Sequence, residues 1–501
     1  MLDSVRSRLS RFFPTRKRHL EIFPLFLLCA AAFLVRIWGM SRFHFWDEMA
    51  YLQNAQVICC GKTNYTELDF RPPLISLIFA GVFLVWHSIY AACIVTAFLN
   101  ALGPVFLYFA GRRAVGRLPA AVAALLLAFG PFFIGIFPEG FASDNTGNSL
   151  LTDSPALTLT TLALWLLLRA LDRESAARFA CAGLALAATV LMRFGSLPSV
   201  CILLLLPLAA KQRWKATMAC VTGLLVGLAP YLLWSRLHFG SFLFTLRAGW
   251  TGVEDEGEPF FFYLRNCAVI FTPVAVFGLV LNASSRLWRL VRAVPSRLRM
   301  SATLLSVPFP LVLEAFLWLW LVAGFSFFSA MPHKEPRYIL PIAAPFLLLA
   351  GSGLALLRAL PSRPLRLAGA LLLAALLGFT FLPIRERFDQ PFIEPGVPQE
   401  QLASEFLQSA FPSATPLYTN FNYPAFGFFS NDPIHELPSD GAALYDDIEN
   451  IPPGGILIVY SKSEGEVWAP DLDWVDANPR FQRLRDFSTL VIYRRVAEGA
   501  Q

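Results

Sequence analysis

Apolar positions along the chain gather in long unbroken runs, at about 20–40, 73–87, 89–110, 118–138, 155–171, 179–197, 198–210, 216–235, 260–282, 304–330, 338–358 and 366–383. Most approach the roughly 20 residues that a helix needs to cross about 30 Å of hydrocarbon, so the pattern predicts an α-helical polytopic membrane body over 1–383. The run 73–87 is short, follows Pro72-Pro73 and ends in Trp86-His87, which suits an interfacial or re-entrant helix rather than a crossing. From 384 to 501 the pattern changes. Gln399–Ala410 has helical spacing, and Leu417–Thr419, Ile456–Tyr460 and Leu490–Tyr493 are strand-like runs separated by Pro, Gly, Asn and Asp, so this tail reads as a small α/β domain.

Composition excludes a soluble chain: 56% of the 501 residues are hydrophobic and 15% charged, with a mean hydropathy of +0.55. Charge then orients the body. From Ile384 onward there are 8 Lys+Arg against 18 Asp+Glu, leaving 33 against 17 for the rest, and the basic residues of the body sit in short connectors between apolar runs. Putting those connectors on the cytoplasmic side requires eleven spans, with 73–87 not crossing. The outer loop 41–72, the stretches 139–154 and 236–259, the turn around His333 and the tail then face outward. Basic residues spread over connectors in this way are topology signals, so no nucleic-acid partner is expected. The implied location is a multi-pass membrane protein of a bacterial inner membrane with its site on the periplasmic face, or of the endoplasmic reticulum with a lumenal site in a eukaryote. Arg6, Arg8, Arg11, Arg16, Lys17 and Arg18 precede the first run, which lacks a small-residue cleavage site and reads as a retained anchor.

Cys29, Cys93, Cys181, Cys201, Cys220 and Cys267 lie in or beside apolar runs, no zinc spacing occurs, and Cys59 and Cys60 find no partner cysteine in the tail, so no disulfide is expected. Phosphate-binding loops, dinucleotide fingerprints and a His-Glu-x-x-His helix are all missing from the sequence. No cofactor is expected, and a divalent metal is left open.

Three constellations remain. The first is Phe45-Trp46-Asp47-Glu48 with Glu67, Asp69 and Arg71-Pro72-Pro73: adjacent carboxylates beside aromatics can yield a proton acceptor, or simply keep a loop in water. The second is Asp153, with Glu139 and Asp144 upstream, where Asp153-Ser154-Pro155 also makes a good capped helix start. The third is Pro332-His333-Lys334-Glu335-Pro336-Arg337-Tyr338, in which three cation-capable groups beside one acid suit an anion clamp. Arg36 and Arg193 lie near outer helix ends, where they either serve a site or reach to lipid headgroups, and Glu314 lies inside an apolar run. Asp471-Leu472-Asp473 mimics a nucleotide-sugar motif without its fold, and Asn64-Tyr65-Thr66 is a glycosylation sequon.

Acids and bases concentrated on the outer face, away from nucleotide-activated donors, fit group transfer from a lipid-linked phosphate, whose departure needs cations while the acceptor hydroxyl needs a base. The Asp47-Glu48 pair after the first span, the Arg71-Pro72-Pro73 step, Asp153 at an outer helix start and His333-Lys334-Glu335-Pro336-Arg337-Tyr338 together make the chain resemble the GT-C superfamily of polyprenyl-phosphate-sugar-dependent glycosyltransferases. The last element is similar to the His-Lys-Glu-x-Arg-Phe signature of dolichyl-phosphate-mannose mannosyltransferases. The basic-Pro-Pro step and the tail resemble bacterial protein O-mannosyltransferase and aminoarabinose transferase relatives. The resemblance implies a GT-C-like body with a small extracytoplasmic α/β domain and inverting transfer of a sugar, mannose first, from a polyprenyl-phosphate donor to a glycan, lipid or protein hydroxyl. It implies Asp47 as base. Glu48 and Asp153 would assist it, Arg71, Arg193, His333, Lys334 and Arg337 would surround the donor phosphate, and Glu335 would orient them. The alternatives are a non-catalytic flippase or transporter for lipid-linked glycans, and a scaffold whose tail binds a partner; transporters place ionisable groups at the bilayer midplane and show repeated halves, which this chain does not.

Overall fold

The computed structural model describes residues 16–44, 46–136, 150–251, 258–297, 309–358, 360–411, 414–438, 441–460 and 470–497. Among the described residues each of the twelve apolar runs forms mainly helix. In chain order the helices are α1 (Arg16–Ile37), α2 (Trp46–Cys60, in the first polar loop), α3 (Leu74–Phe83), α4 (Ile89–Ala114), α5 (Arg117–Phe129), α6 (Asp153–Arg173), α7 (Ala176–Met192), α8 (Leu197–Leu203), α9 (Arg213–Phe239), α10 (Phe244–Thr251), α11 (Phe262–Phe271), α12 (Pro273–Arg297), α13 (Phe309–Ala330), α14 (Ala343–Ala355) and α15 (Arg363–Phe381). The tail adds α16 (Ile384–Asp389), α17 (Gln399–Ala410), β1 (Leu417–Thr419), α18 (Tyr423–Phe429), β2 (Ile434–Glu436), α19 (Gly441–Glu449), β3 (Ile456–Tyr460), α20 (Leu472–Ala477), β4 (Phe481–Asp486) and β5 (Leu490–Arg495).

Among the described residues six helical segments are long and apolar enough to cross a membrane: Ile89–Ala114, Asp153–Arg173, Arg213–Phe239, Leu311–Ala330, Pro336–Arg358 and Arg363–Asp389. A seventh results if Phe262–Phe271 and Pro273–Arg289 count together, although they meet at 112°. Five further apolar helices are shorter, so helix length alone does not reach the eleven spans read from the charge pattern. Among these, α3 has 10 residues and extends about 15 Å, half the hydrocarbon thickness.

Packing divides the chain into two compact units: Met1–Gly39 with Cys93–Phe392, and Met40–Ala92 with Ile393–Gln501. This differs from a division at 383/384, because the first polar loop and α3 pack with the tail. Chain order separates them by some 300 residues, so no local pattern announces the pairing.

In the first unit α7 and α9 approach closely enough that a Cβ on Gly183 or Gly223 would overlap the facing backbone, a small-residue contact that replaces the hydrophobic drive missing in lipid. Residues 339–351, leading into and through α14, are buried, and Phe346 stacks on Phe271 of α11 with ring centres 4.1 Å apart. Arg36 does not reach for headgroups. It is 3% exposed and donates to the carbonyls of Leu127 (3.0 Å) and Ala128 (2.8 Å), closing the C-terminal turn of α5. Glu314 pairs with Arg286, an internal contact within this unit.

In the second unit the sheet order is β2-β1-β3-β5-β4, with β1 parallel to β2 and β3, and β5 antiparallel to β3 and β4. One face is cored by Leu457, Val459, Val491 and Tyr493, the other by Leu417, Ile456, Ile458 and Ile492, as period-two alternation requires. Cys59 and Cys60, expected to be free, are bonded to each other, a pairing that needs no cysteine elsewhere.

Candidate functional site

Two ionic clusters contain the residues singled out in the sequence, one in each unit. The cluster of the second unit is built on α2, which begins at Trp46 and carries Asp47 and Glu48 in its first turn, where free backbone N–H groups favour acids. The two acids diverge. Glu48, its side chain 6% exposed, lies 3.2 Å from His44 Nδ1, while Asp47, 28% exposed, lies 2.6 Å from Arg71 Nη1. Of the two, Asp47 is the more accessible carboxylate. Arg71 Nε in turn donates to Glu67 Oε2 at 2.7 Å, and Glu67 Oε1 accepts from Trp46 Nε1 (3.0 Å) and the Tyr65 hydroxyl (2.8 Å). Burial disfavours the Arg71 charge, but Asp47 and Glu67 outweigh it and hold the guanidinium well above its ordinary value. Burial and the neighbouring Glu67 push the Tyr65 hydroxyl well up, so it stays a donor.

The cluster of the first unit joins three separate stretches. Asp153 opens α6, but Thr152 holds the cap position, and the Asp153 carboxylate accepts from Arg193 Nη1 at 2.7 Å. Arg193 ends α7 in extended backbone, and its guanidinium carbon lies 4.8 Å from the ring centre of Tyr338. Arg337 lies 5.6 Å from the same ring and donates from Nη2 to Glu335 Oε1 at 3.0 Å, where His333 Nε2 also stands at 3.0 Å. The Tyr263 hydroxyl donates to the Glu335 carbonyl at 3.1 Å, and Lys334, 6% exposed, donates to the Glu258 carbonyl at 2.8 Å. Burial alone would raise the Glu335 carboxyl. Hydrogen bonds from His333 and Tyr338 and the charge of Arg337 outweigh it and hold Glu335 well below the usual carboxylate range.

The structure thus brings Asp153, Arg193, His333, Glu335 and Arg337 into one network around Tyr338, and Asp47 and Arg71 into another around Glu67. Glu48 and Lys334 turn to partners of their own. Two members of these networks do not stand out in the sequence as anchors: Glu67, although its i,i+4 spacing to Arg71 signals a pair, and Tyr263, whose role depends on a distant stretch of chain. Glu139 and Asp144 lie outside the described residues. Among the described residues no three His, Cys, Asp or Glu side chains form a group that could hold a metal ion. Asp471 caps α20 by accepting from the Asp473 backbone at 3.1 Å, and Asn64 donates to the carbonyls of Gly427, Ser430 and Asp432, so both motifs do structural duty.

Two family models match parts of the chain: dolichyl-phosphate-mannose-protein mannosyltransferase over residues 70–234 and the Alg9-like mannosyltransferase family over 256–388. No curated protein matches by sequence. Among solved structures, ArnT from Cupriavidus metallidurans bound to undecaprenyl phosphate shares the fold with a TM-score of 0.63 and 15% identity, over 96% of this chain and 99% of that one. The Archaeoglobus fulgidus oligosaccharyltransferase tethered to an acceptor peptide has a TM-score of 0.58 and 13% identity, over 89% of this chain and 69% of that one. The oligosaccharyltransferase AglB of the same organism, in complex with an inhibitory peptide and a dolichol-phosphate, gives 0.56 and 13%, over 88% and 69%.

Proposed function

For a chain with GT-C-superfamily domains and a GT-C fold, we propose the activity of a membrane glycosyltransferase that moves one sugar, mannose first, from a polyprenyl-phosphate donor to a hydroxyl acceptor. The observation that carries this reading is the Tyr338 network, in which Arg193 and Arg337 flank one ring while Glu335 and Asp153 fix their directions. A phosphate leaving beside hydrocarbon needs several charge-assisted donors, and planar guanidiniums match its oxygens in pairs. The bound lipids of ArnT and AglB support a donor of this class.

In the proposed step the acceptor oxygen attacks the anomeric carbon, and the bond from that carbon to the phosphate oxygen breaks with its electron pair remaining on the phosphate. The acceptor proton passes to Asp47 and the anomeric centre inverts. Arg71, expected at the phosphate, has a carboxylate on each side, so we assign it to holding Asp47 in place; Lys334 adds positive charge, His333 helps to hold Glu335 and Glu48 stays structural. We also propose eleven crossings with the tail outside, in a bacterial inner membrane or the endoplasmic reticulum. A single cysteine introduced at Ser362 in a cysteine-free background should resist outer-side labelling, and one at Asp473 should react; the reverse pattern would invert the orientation.

The direct experiment offers purified protein in liposomes a panel of polyprenyl-phosphate sugars and measures released polyprenyl phosphate. Turnover of one donor is expected. No turnover and no donor binding across the panel would favour a carrier of lipid-linked glycans.

A further inference from the structure

The second unit joins the helix that carries Asp47 to the sheet of the tail. In that sheet β1 and β3 are parallel neighbours, and the chain leaves their carboxyl ends in opposite directions, from β1 to β2 on one side and from β3 toward β4 and β5 on the other. Divergence of this kind marks the edge outside the two strand ends, the place where open α/β sheets take ligands. Phe421 and Asn422 follow β1 closely, Tyr460 closes β3, and their rings and side chains meet there. The Phe421 and Tyr460 ring centres are 5.1 Å apart, and Glu400 Oε1 of α17 accepts from Asn422 Nδ2 at 2.7 Å and from the Tyr460 hydroxyl at 3.0 Å.

Two details mark this place as built for a ligand. Asn422 is 7% exposed and stands in the left-handed region (φ 48°), and its Oδ1 finds no donor among the described residues, an unmet acceptor that costs stability unless something occupies it. Trp46 stands at the same edge, with ring centres 4.0 Å from Tyr423 and 5.8 Å from Phe421, and all three rings are half-buried. Trp46 and Arg71 are both bound by Glu67, and Arg71 holds Asp47, so a hydroxyl within reach of Asp47 belongs to a molecule that also lies by Trp46.

We propose that the carboxyl edge of the tail's sheet, with Trp46, is the acceptor subsite, and that it takes a carbohydrate. The proposal rests on the reading of Asp47 as base. Aromatic faces suit the C–H faces of a sugar ring, while an amide oxygen and a carboxylate suit its hydroxyls. A peptide would seek an open strand edge, and β1 and β3 are paired on both sides. An anionic acceptor would seek a free counter-charge, and the group formed by Trp46, Glu400, Phe421, Asn422, Tyr423 and Tyr460 holds one acid and no base, while the neighbouring Arg71 is already held between Asp47 and Glu67.

Saturation-transfer NMR on the full-length protein in detergent tests this, with methyl glycosides of mannose, glucose, galactose and N-acetylglucosamine and, separately, a threonine-containing hexapeptide. Transfer to at least one glycoside is expected. Asn422→Gly keeps the left-handed backbone and removes the unmet amide oxygen, so glycoside binding should weaken about 2–10-fold, the usual effect of one neutral hydrogen bond. Glu400→Gln, which retains shape, should weaken it too and serves if the first variant does not fold. Transfer to no glycoside, transfer to the peptide alone, or glycoside binding unchanged in both folded variants would overturn the subsite. Binding of undecaprenyl phosphate to the unaltered protein, followed in parallel, tests the glycosyltransferase reading by itself; its failure there would count against the donor chemistry and leave the glycoside result to decide the subsite.

Discussion

The two ionic clusters use the same residue types in opposite balance. Around Glu67 one cation, Arg71, lies between two carboxylates, and of these Asp47 is the exposed one. In the cluster of the first unit as a whole, Lys334 included, the fixed cations Arg193, Lys334 and Arg337 outnumber Asp153 and Glu335. An acid-rich cluster can accept a proton and a cation-rich one can hold an anion, so it is the balance of charge, more than the identity of any residue, that suits the first to the base and the second to the phosphate of the proposed transfer.

The largest expected effect breaks the acid-rich half. Asp47→Asn nearly conserves volume and removes the proton acceptor, so transfer should fall by about 10²–10⁴-fold while undecaprenyl phosphate binding persists. Near-normal transfer in this variant, with Glu48→Gln inactive, would exchange the two roles. The next effect belongs to the cation-rich half. Arg337→Ala removes a charge-assisted donor worth about 1.5–3 kcal/mol, so the Kd for undecaprenyl phosphate should rise about 10–150-fold, and an unaltered Kd would take Arg337 out of the phosphate site.

The smallest effect sharpens the comparison through pH. The Glu335 carboxyl is held below its ordinary value, so its contribution to stability is complete above the unfolded carboxylate pKa of about 4.3 and is lost as pH falls toward the folded one. Glu335→Gln should therefore unfold at a lower temperature than the unaltered protein at pH 7 and pH 5, with the gap narrowing at pH 3.5. A gap as wide at pH 3.5 as at pH 7 would show that the carboxylate charge is not what orders Arg337.

Much of the scaffold is legible in the order of residues alone. Each apolar run is helical, and α17, β1, β3 and the start of β5 fall where the spacing predicts them. Strands β2 and β4 escape that reading for a physical reason: they lie at the sheet edges, where Ile434–Glu436 has a single strongly apolar residue and Phe481–Asp486 is mostly exposed, so neither shows the alternation of a half-buried strand. The site is legible as a set of residues and not as a set of partners. Nothing local says that Arg193 meets Asp153 across 40 residues, that Arg36 closes the end of α5 instead of facing lipid, or that Thr152 precedes Asp153 as the cap. Partner choice depends on which distant carbonyl or carboxylate the packing delivers, and that information is tertiary.

The grouping of residues 40–92 with 393–501 also sets a timetable. A chain made from its N-terminus at about 5–20 residues per second spends roughly 15–60 s on the 300 residues between these segments. Throughout that interval Asn64 lacks the Gly427, Ser430 and Asp432 carbonyls it will hold, Lys62 lacks that of Phe428, and Trp46 lacks the ring of Tyr423. The helix that bears Asp47 is among the first parts of the protein to be made and among the last to gain its packing partners, which arrive only with residues 423–432 of the tail.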